Sequence, residues 1–210
     1  MKHILLVEDH SIVRLATLFI IRDVVPAFTP WEADNFSDAL HIVSVQKLDL
    51  IILDINIPDG EGFQMIGKFR RLQPDVPIMM FSGMDEEVYA MHYLKAGANG
   101  FLSKSSSTRE IRTAITAVLM HGRYVSDLVQ HSLLGGNIAT NVRQDNPLAA
   151  LSQRELEVMD LLLQGKWTKE IATFLNITGS SVSTYKARIF EKFGVTTVIE
   201  LYQRVSLLRD

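Results

Sequence analysis

The chain has 210 residues, which is long for one small domain and comfortable for two. Its formal net charge of −3 gives no strongly basic field that would indicate a nucleic-acid partner, although residues 1–134 carry −4 and residues 149–210 carry +1. The sequence has no cysteine, which excludes disulfides, thiolate metal sites and cysteine nucleophiles. No apolar stretch is long enough for a signal peptide or a membrane span, so we expect a cytoplasmic protein with no membrane partner.

Apolar runs alternate with helical patterns through the first 121 residues. The runs predict strands at 3–7, 28–33, 50–53, 76–81 and 100–102, and the helical patterns begin near residues 10, 36, 63, 85 and 108. The first helix is expected to pack one apolar stripe on the sheet, namely Ile12, Leu15, Ala16, Phe19 and Ile20. With right-handed crossovers, this order predicts an α/β fold, a doubly wound five-stranded parallel sheet.

The rest of the chain is predicted to be helical after a linker. Residues 124–134 form a further short helix, and the Gly- and Asn-rich stretch 135–148 is typical of a linker. Residues 149–210 have helical periodicity throughout, with a capping box at Ser152 and Glu155. A short helix from Thr168, a tight turn and a helix starting at Ser180 or Ser181 have the parts of a helix-turn-helix. The predicted domains are therefore 1–134 and 149–210.

Polar side chains follow four of the predicted strands. Glu8 and Asp9 follow the first strand, Asp54 the third, Ser82 the fourth and Lys104 the fifth. Carboxyl ends of parallel strands meet at one edge of the sheet, so these groups should lie together. Three close carboxylates repel one another, so at neutral pH they either raise the pKa of one of them or recruit a cation. Oxygen ligands in a small loop site favour Mg²⁺. A carboxylate nucleophile beside Mg²⁺, an ammonium and a hydroxyl is suited to accepting a phosphoryl group.

These residues resemble the receiver domain of two-component response regulators. The matching motifs are Glu8-Asp9, Asp54 with Pro58, Ser82-Gly83 and Phe101-x-x-Lys104. The resemblance implies that a sensor histidine kinase phosphorylates Asp54 and that the chain is a phosphoacceptor, not an enzyme. It also implies that Mg²⁺ is held by Asp9, Asp54 and the backbone carbonyl of Asn56, with Glu8 acting through water. Ser82 and Phe101 would form the switch, although Phe101 is equally well explained as a core residue.

Residues 151–196 resemble the helix-turn-helix of the NarL/FixJ (LuxR-type) class. The resemblance rests on the capping box, Gly165, Lys169-Glu170-Ile171-Ala172 and Gly194-Val195. The expected contacts to double-stranded DNA are Lys166, Thr168, Lys169, Ser181, Ser183, Thr184, Lys186, Arg188 and Lys192. The sequence departs from the family pattern at Ser183, which replaces a common Lys, at Tyr185, which replaces a His, and at Trp167-Thr168, which replaces Ser-Asn. These changes make the groove-facing surface less basic.

The combined resemblance implies a transcription regulator controlled by phosphorylation. A group of about −2 charge on Asp54 would draw the Ser82 hydroxyl inward and let Phe101 rotate into the vacated space. Partners would be a sensor histidine kinase, double-stranded DNA, a second copy of the chain on activation and, as a candidate, RNA polymerase. The last helix is either a dimer contact or buried in its own domain.

Two other functions compete with this one. One is a receiver that binds proteins through its C-terminal helices without contacting DNA. The other is an Asp- and Mg²⁺-dependent phosphatase of the haloacid-dehalogenase type. That family has a second Asp two residues after the first, and this chain has Asn56 there, which disfavours it.

Overall fold

The computed structural model describes residues 1–134 and 147–209, with side chains for 1–130 and 147–208. The chain divides into two compact units, Met1–His131 and Ser132–Asp210. Most of the predicted linker, 135–148, lies outside the described residues, so the domain limits 1–134 and 149–210 remain predictions.

The first unit alternates strands and helices, as the sequence predicts. The strands are β1 (Lys2–Val7), β2 (Phe28–Ala33), β3 (Leu50–Leu53), β4 (Ile78–Ser82) and β5 (Gly100–Ser103). The helices are α1 (Ser11–Val24), α2 (Phe36–Val45), α3 (Gln64–Leu72), α4 (Glu86–Lys95) and α5 (Thr108–His121), and a further helix, α6 (Asp127–Leu134), begins in this unit. The strands form one parallel sheet in the order β2-β1-β3-β4-β5, which confirms the predicted doubly wound fold.

The strand order places β1 beside β3, with Val7 in register with Leu53. The next residue of each strand is a carboxylate, so this register puts Glu8 and Asp54 side by side at the carboxyl edge. Open α/β sheets bind ligands at such an edge, where the strand order changes direction.

The central strands are buried on both faces because their sequences are continuous apolar runs. All four residues of β3 and all five of β4 are buried. Side chains from β1, β3, β4 and β5 form a core with helices α1 and α5, comprising Ile4, Leu6, Leu50, Ile52, Met79, Phe81 and Leu102 from the strands and Ile21, Ile111, Ala114, Ile115 and Val118 from the helices. This packing gives the carboxyl edge a rigid support.

Helix α1 faces the sheet with a different side from the predicted one. Of the predicted stripe, Ile12 is 83% exposed, Phe19 is 59% exposed and Leu15 is also exposed, while Ile20 is partly buried. The buried residues of α1 are Thr17 and Ile21. Apolar residues surround most of this helix, so periodicity alone does not select a face. Thr17 can be buried because its hydroxyl donates to the carbonyl of Val13 at 2.8 Å.

The second unit is helical, as predicted. Its helices are α7 (Gln153–Leu163), α8 (Thr168–Leu175), α9 (Gly179–Phe193) and α10 (Val198–Arg209). The capping box of Ser152 and Glu155 begins α7. Helix α9 begins slightly earlier than predicted, because the hydroxyl of Thr178, and not of Ser180 or Ser181, caps it by accepting from the Ser181 N–H at 3.1 Å.

The core of this unit draws on each of the four helices described between residues 147 and 209. Its buried side chains include Leu156, Val158 and Met159 from α7, Ile171 from α8, Val182, Ile189 and Phe193 from α9, and Leu201 and Val205 from α10. Helices α8 and α9, joined by a three-residue connection, form the predicted helix-turn-helix. Within residues 1–134 and 147–209, no helix combines the length and apolar character that crossing a bilayer requires.

Candidate functional site

Two buried carboxylates meet at the carboxyl edge of the sheet. Glu8 is 1% exposed and Asp54 is 3% exposed. Each is fixed by its backbone, since the Glu8 N–H donates to Ala33 O and the Asp54 N–H donates to Val7 O, both at 3.0 Å. The sheet hydrogen bonds therefore continue one residue past the strand ends and hold both acids in place.

Lys104 lies between the two carboxylates. Its Nζ is 2.6 Å from Glu8 Oε2 and 2.8 Å from Asp54 Oδ2. The lysine is held by its own backbone, whose N–H donates to Ser82 O at 2.8 Å. Burial lowers the pKa of Lys104, but its hydrogen bonds and attraction to Asp54 and Glu8 outweigh burial and leave the pKa above its usual value. Lys104 is therefore the internal counterion of the site.

Asp9 and His10 extend the cluster toward solvent. Candidate ligand atoms of Glu8, Asp9, His10 and Asp54 all lie within 4.8 Å of one another. His10 Nδ1 is 2.8 Å from Asp9 Oδ1 and 3.1 Å from Glu8 Oε1. The sequence prediction missed His10, because adjacent residues on a loop have none of the helical spacings that identify metal-binding histidines.

The donor set fits a hard divalent cation. Within the described ranges, the buried atoms Glu8 Oε2 and Asp9 Oδ1 receive no hydrogen bond of good geometry, although each has a nitrogen at ion-pair distance. Carboxylate oxygens with fewer hydrogen-bond donors than they can accept are suited to bind Mg²⁺, which retains several of its waters. The predicted ligand Asn56 follows closely, and its N–H donates to Asp54 Oδ1 at 3.3 Å.

The two predicted switch residues are both buried. Ser82 ends β4 with no exposure, and its Oγ accepts from the Met84 N–H at 3.2 Å. Phe101 is 1% exposed and lies 6.0 Å from the ring of Tyr93, which stacks on Phe63 at 4.1 Å. The ring of Phe101 lies inside the unit in this structure, and its rotation on phosphorylation stays a prediction.

Most of the predicted DNA-contacting residues are on the surface of α8 and α9. Lys166, Thr168, Lys169, Ser183, Thr184 and Arg188 are exposed, and Ser181 and Lys186 are partly buried. The hydroxyls of Ser183 and Thr184 each donate to a carbonyl one turn earlier, both at 3.0 Å. They retain acceptor capacity for an outside donor.

Lys192 differs from the other predicted DNA contacts. Its Nζ donates to Glu155 Oε2 at 2.7 Å and to Ala150 O at 2.9 Å. The Glu155 side chain is only 4% exposed. Burial raises the pKa of Glu155, but hydrogen bonds from Lys192 and Ser152 outweigh it and leave the pKa below its usual value. The structure thus gives Lys192 a role inside the unit, while its expected contact to DNA stays a prediction.

Comparison with known proteins identifies both units. Residues 4–116 match the response regulator receiver domain, and residues 149–205 match the luxR family of bacterial regulatory proteins. The chain belongs to the response regulators of the NarL/FixJ type. It is therefore a two-component transcription regulator with a DNA-binding domain.

The relatives of this response regulator match over nearly their full length. It is 29% identical over 201 residues to UvrY of Escherichia coli K12, covering 96% of this chain and 92% of UvrY. It is 30% identical over 203 residues to the transcription regulator BvgA of Bordetella pertussis, covering 94% and 93%. RcsB of Salmonella enterica, in a structure bound to the rprA promoter with a phosphomimetic, shares the fold at a TM-score of 0.80 and 21% identity, covering 98% of this chain and 99% of RcsB.

Proposed function

We propose that Asp54 accepts a phosphoryl group from a phosphohistidine of a sensor histidine kinase. The observation that carries this proposal is the ion pair of Lys104 with both buried carboxylates at the sheet edge, 2.6 Å from Glu8 and 2.8 Å from Asp54. An Asp54 oxygen attacks phosphorus, the phosphorus–nitrogen bond breaks, and the histidine leaves with its electron pair. The product is an acyl phosphate on Asp54, so the chain is a phosphoacceptor that takes part in its own phosphorylation and dephosphorylation.

Mg²⁺ is the cofactor that the acidic residues would hold. We assign Asp9, Asp54 and the Asn56 carbonyl as its ligands, with Glu8 acting through water. When bound, Mg²⁺ supplies positive charge that neutralises the phosphoryl oxygens. Lys104 contributes an ammonium 2.8 Å from Asp54 Oδ2. These residues orient the Asp54 carboxylate and lower the repulsion that an incoming phosphate would meet.

Ser82 is the proposed sensor of the new group. Its Oγ accepts from the Met84 N–H, which leaves its own proton free to donate to a phosphoryl oxygen. A group of about −2 charge would therefore pull on the loop between β4 and α4. Phe101, buried beside Tyr93 of α4, is the proposed second switch residue, which would repack when Ser82 moves.

The output is sequence-specific binding of double-stranded DNA by a homodimer formed on activation. Helix α9 would enter the major groove, with Lys166, Thr168 and Lys169 at phosphates. Helix α10 supports a dimer contact, because it buries Leu201 and Val205 but leaves Ile199 73% and Tyr202 59% exposed. RNA polymerase is a further candidate partner. We place this activity in the cytoplasm, where a bacterial regulator meets its DNA.

A gel shift with and without a small phosphodonor tests this function. DNA fragments bound by the full chain should be bound more tightly after incubation with acetyl phosphate and MgCl₂, and Asp54→Asn should not respond. In the phosphorylated protein, Lys186→Ala should weaken binding to all sequences, whereas Thr184→Ala should change which sequences are preferred. If phosphorylated and unphosphorylated chains have equal affinity and equal oligomeric state, phosphate does not control this protein.

A further inference from the structure

Trp167 is the first residue before α8 and is 79% exposed. It borders a surface recess of about 260 Å³ that is also lined by Leu162, Lys166, Thr168, Lys186 and Val198. A large apolar ring that is this exposed buries little surface in its own unit and so contributes little to the stability of that unit. The position therefore calls for an explanation outside the packing of this unit.

The indole is also a poor choice for the position that it occupies. Residues before a helix are usually Ser, Thr, Asp or Asn, whose side-chain oxygen accepts an N–H of the first turn. Trp167 has no such oxygen, and only the reverse bond is made, from the Trp167 N–H to Glu170 Oε2 at 2.7 Å. The N–H groups at the start of α8 therefore lose a side-chain acceptor that a serine would provide.

The charges around Trp167 indicate what covers it. Lys166 and Lys169 flank it in sequence and are exposed, and Lys186 of α9 lines the same recess. The nearest acid on α8, Glu170, is occupied by the Trp167 N–H. An apolar ring with an N–H donor at a helix N-terminus, next to Lys166 and Lys169 and sharing a recess with Lys186, is complementary to a sugar–phosphate backbone.

We propose that Trp167 is a DNA-contacting residue whose ring packs on deoxyribose and whose Nε1–H donates to a phosphate. This inference rests on the proposed DNA binding and extends it to a residue outside the expected contacts. The contact adds affinity but does not read bases. Removing it should therefore weaken binding to a preferred duplex and to an unrelated duplex by the same factor.

The variant Trp167→Ser separates binding from stability, because the two should move in opposite directions. Serine supplies the missing cap, so the second unit should unfold at a higher denaturant concentration. Loss of the ring and its hydrogen bond to a charged group should weaken DNA binding by about tenfold. Phe174→Ser is the matched control, since it removes an exposed ring from the other end of α8.

The experiment uses the full chain in a Trp31→Phe background, which leaves Trp167 as the only tryptophan. The DNA is a duplex selected by the wild type from a random library, and fluorescence anisotropy of the labelled duplex gives affinity. We expect Trp167 emission to change on binding and Trp167→Ser to bind about tenfold more weakly while being more stable.

Three results would overturn the inference. If Trp167→Ser binds DNA as tightly as the parent, and the emission of Trp167 in the parent does not change on binding, Trp167 does not contact DNA and the proposed function still holds. Weaker binding together with lower stability would make Trp167 structural. A wild-type chain that selects no duplex would overturn the proposed DNA binding and the contact with it.

Discussion

Removing the internal counterion of the acidic site should destabilise the receiver unit and make it dependent on Mg²⁺. Lys104→Met keeps most of the side-chain volume but removes the ammonium that lies 2.6 Å from Glu8 and 2.8 Å from Asp54. Both carboxylates are almost fully buried, so solvent replaces the lost charge poorly.

The size of the effect follows from the geometry. Candidate ligand atoms of the two carboxylates lie within 4.8 Å of each other, and two unit charges at that distance repel by about 3 kcal/mol at an effective dielectric constant of about 20. Positions 9 and 104 are partly exposed, so water reaches the site in the variant and screens part of this repulsion. We therefore expect the free energy of unfolding to fall by about 2–3 kcal/mol at neutral pH without divalent cations.

Urea unfolding in a Trp167→Phe background measures this change, because Trp31 of β2 is then the only tryptophan. Millimolar MgCl₂ should recover more stability in Lys104→Met than in the parent, since the cation no longer competes with the ammonium. Lys47→Met, which removes an exposed lysine of the same unit, is the control. Equal stability of Lys104→Met and parent, or an equal response to MgCl₂, would refute the electrostatic reasoning.

Three further changes test other parts of the account. Lys192→Met should lower the unfolding free energy of the second unit by about 1–2 kcal/mol at neutral pH. The pKa of Glu155 is lower in the folded state than in the unfolded state, so this stabilisation is present above the unfolded-state pKa and is lost as the pH falls through the folded-state pKa. The urea midpoints of variant and parent should therefore converge in acid. Gly60→Ala places a Cβ 2.8 Å from Ile57 O and should lower the free energy of unfolding of the first unit by about 1–3 kcal/mol. It should also slow phosphorylation of the chain, which mass spectrometry measures. Asn35→Ala removes the cap of α2 and should lower the urea midpoint of the first unit by the equivalent of about 1 kcal/mol.

The sheet and its acidic edge could be predicted from the sequence because the signal is local. The run before Asp54 is apolar at every position, which only a strand covered on both faces requires. Once β1 and β3 are parallel neighbours, the side-chain order along each strand fixes where Glu8 and Asp54 meet. Lys104 followed from the same rule applied to β5, despite the short and weakly apolar strand.

Features that depend on tertiary packing could not be predicted. Helix α1 is apolar on more than one side, so which face covers the sheet is decided by the fit of Thr17 and Ile21 and not by periodicity. Lys192 has the spacing of a surface residue of α9, and only the fold brings it to the buried Glu155 of α7. The contact of Phe101 with Tyr93 likewise joins two elements, β5 and α4, although a core position for Phe101 is one of two sequence-based alternatives.

The central claim is that Asp54 is the phosphoacceptor and that Mg²⁺ and Lys104 support this role. Mass spectrometry of the intact chain after incubation with acetyl phosphate and MgCl₂ tests it most directly. The account predicts one added phosphoryl group, mapped to Asp54, that is absent in Asp54→Asn and strongly reduced when EDTA replaces MgCl₂. Phosphoryl transfer of the same extent to Asp54→Asn, or none to the wild type, would contradict it.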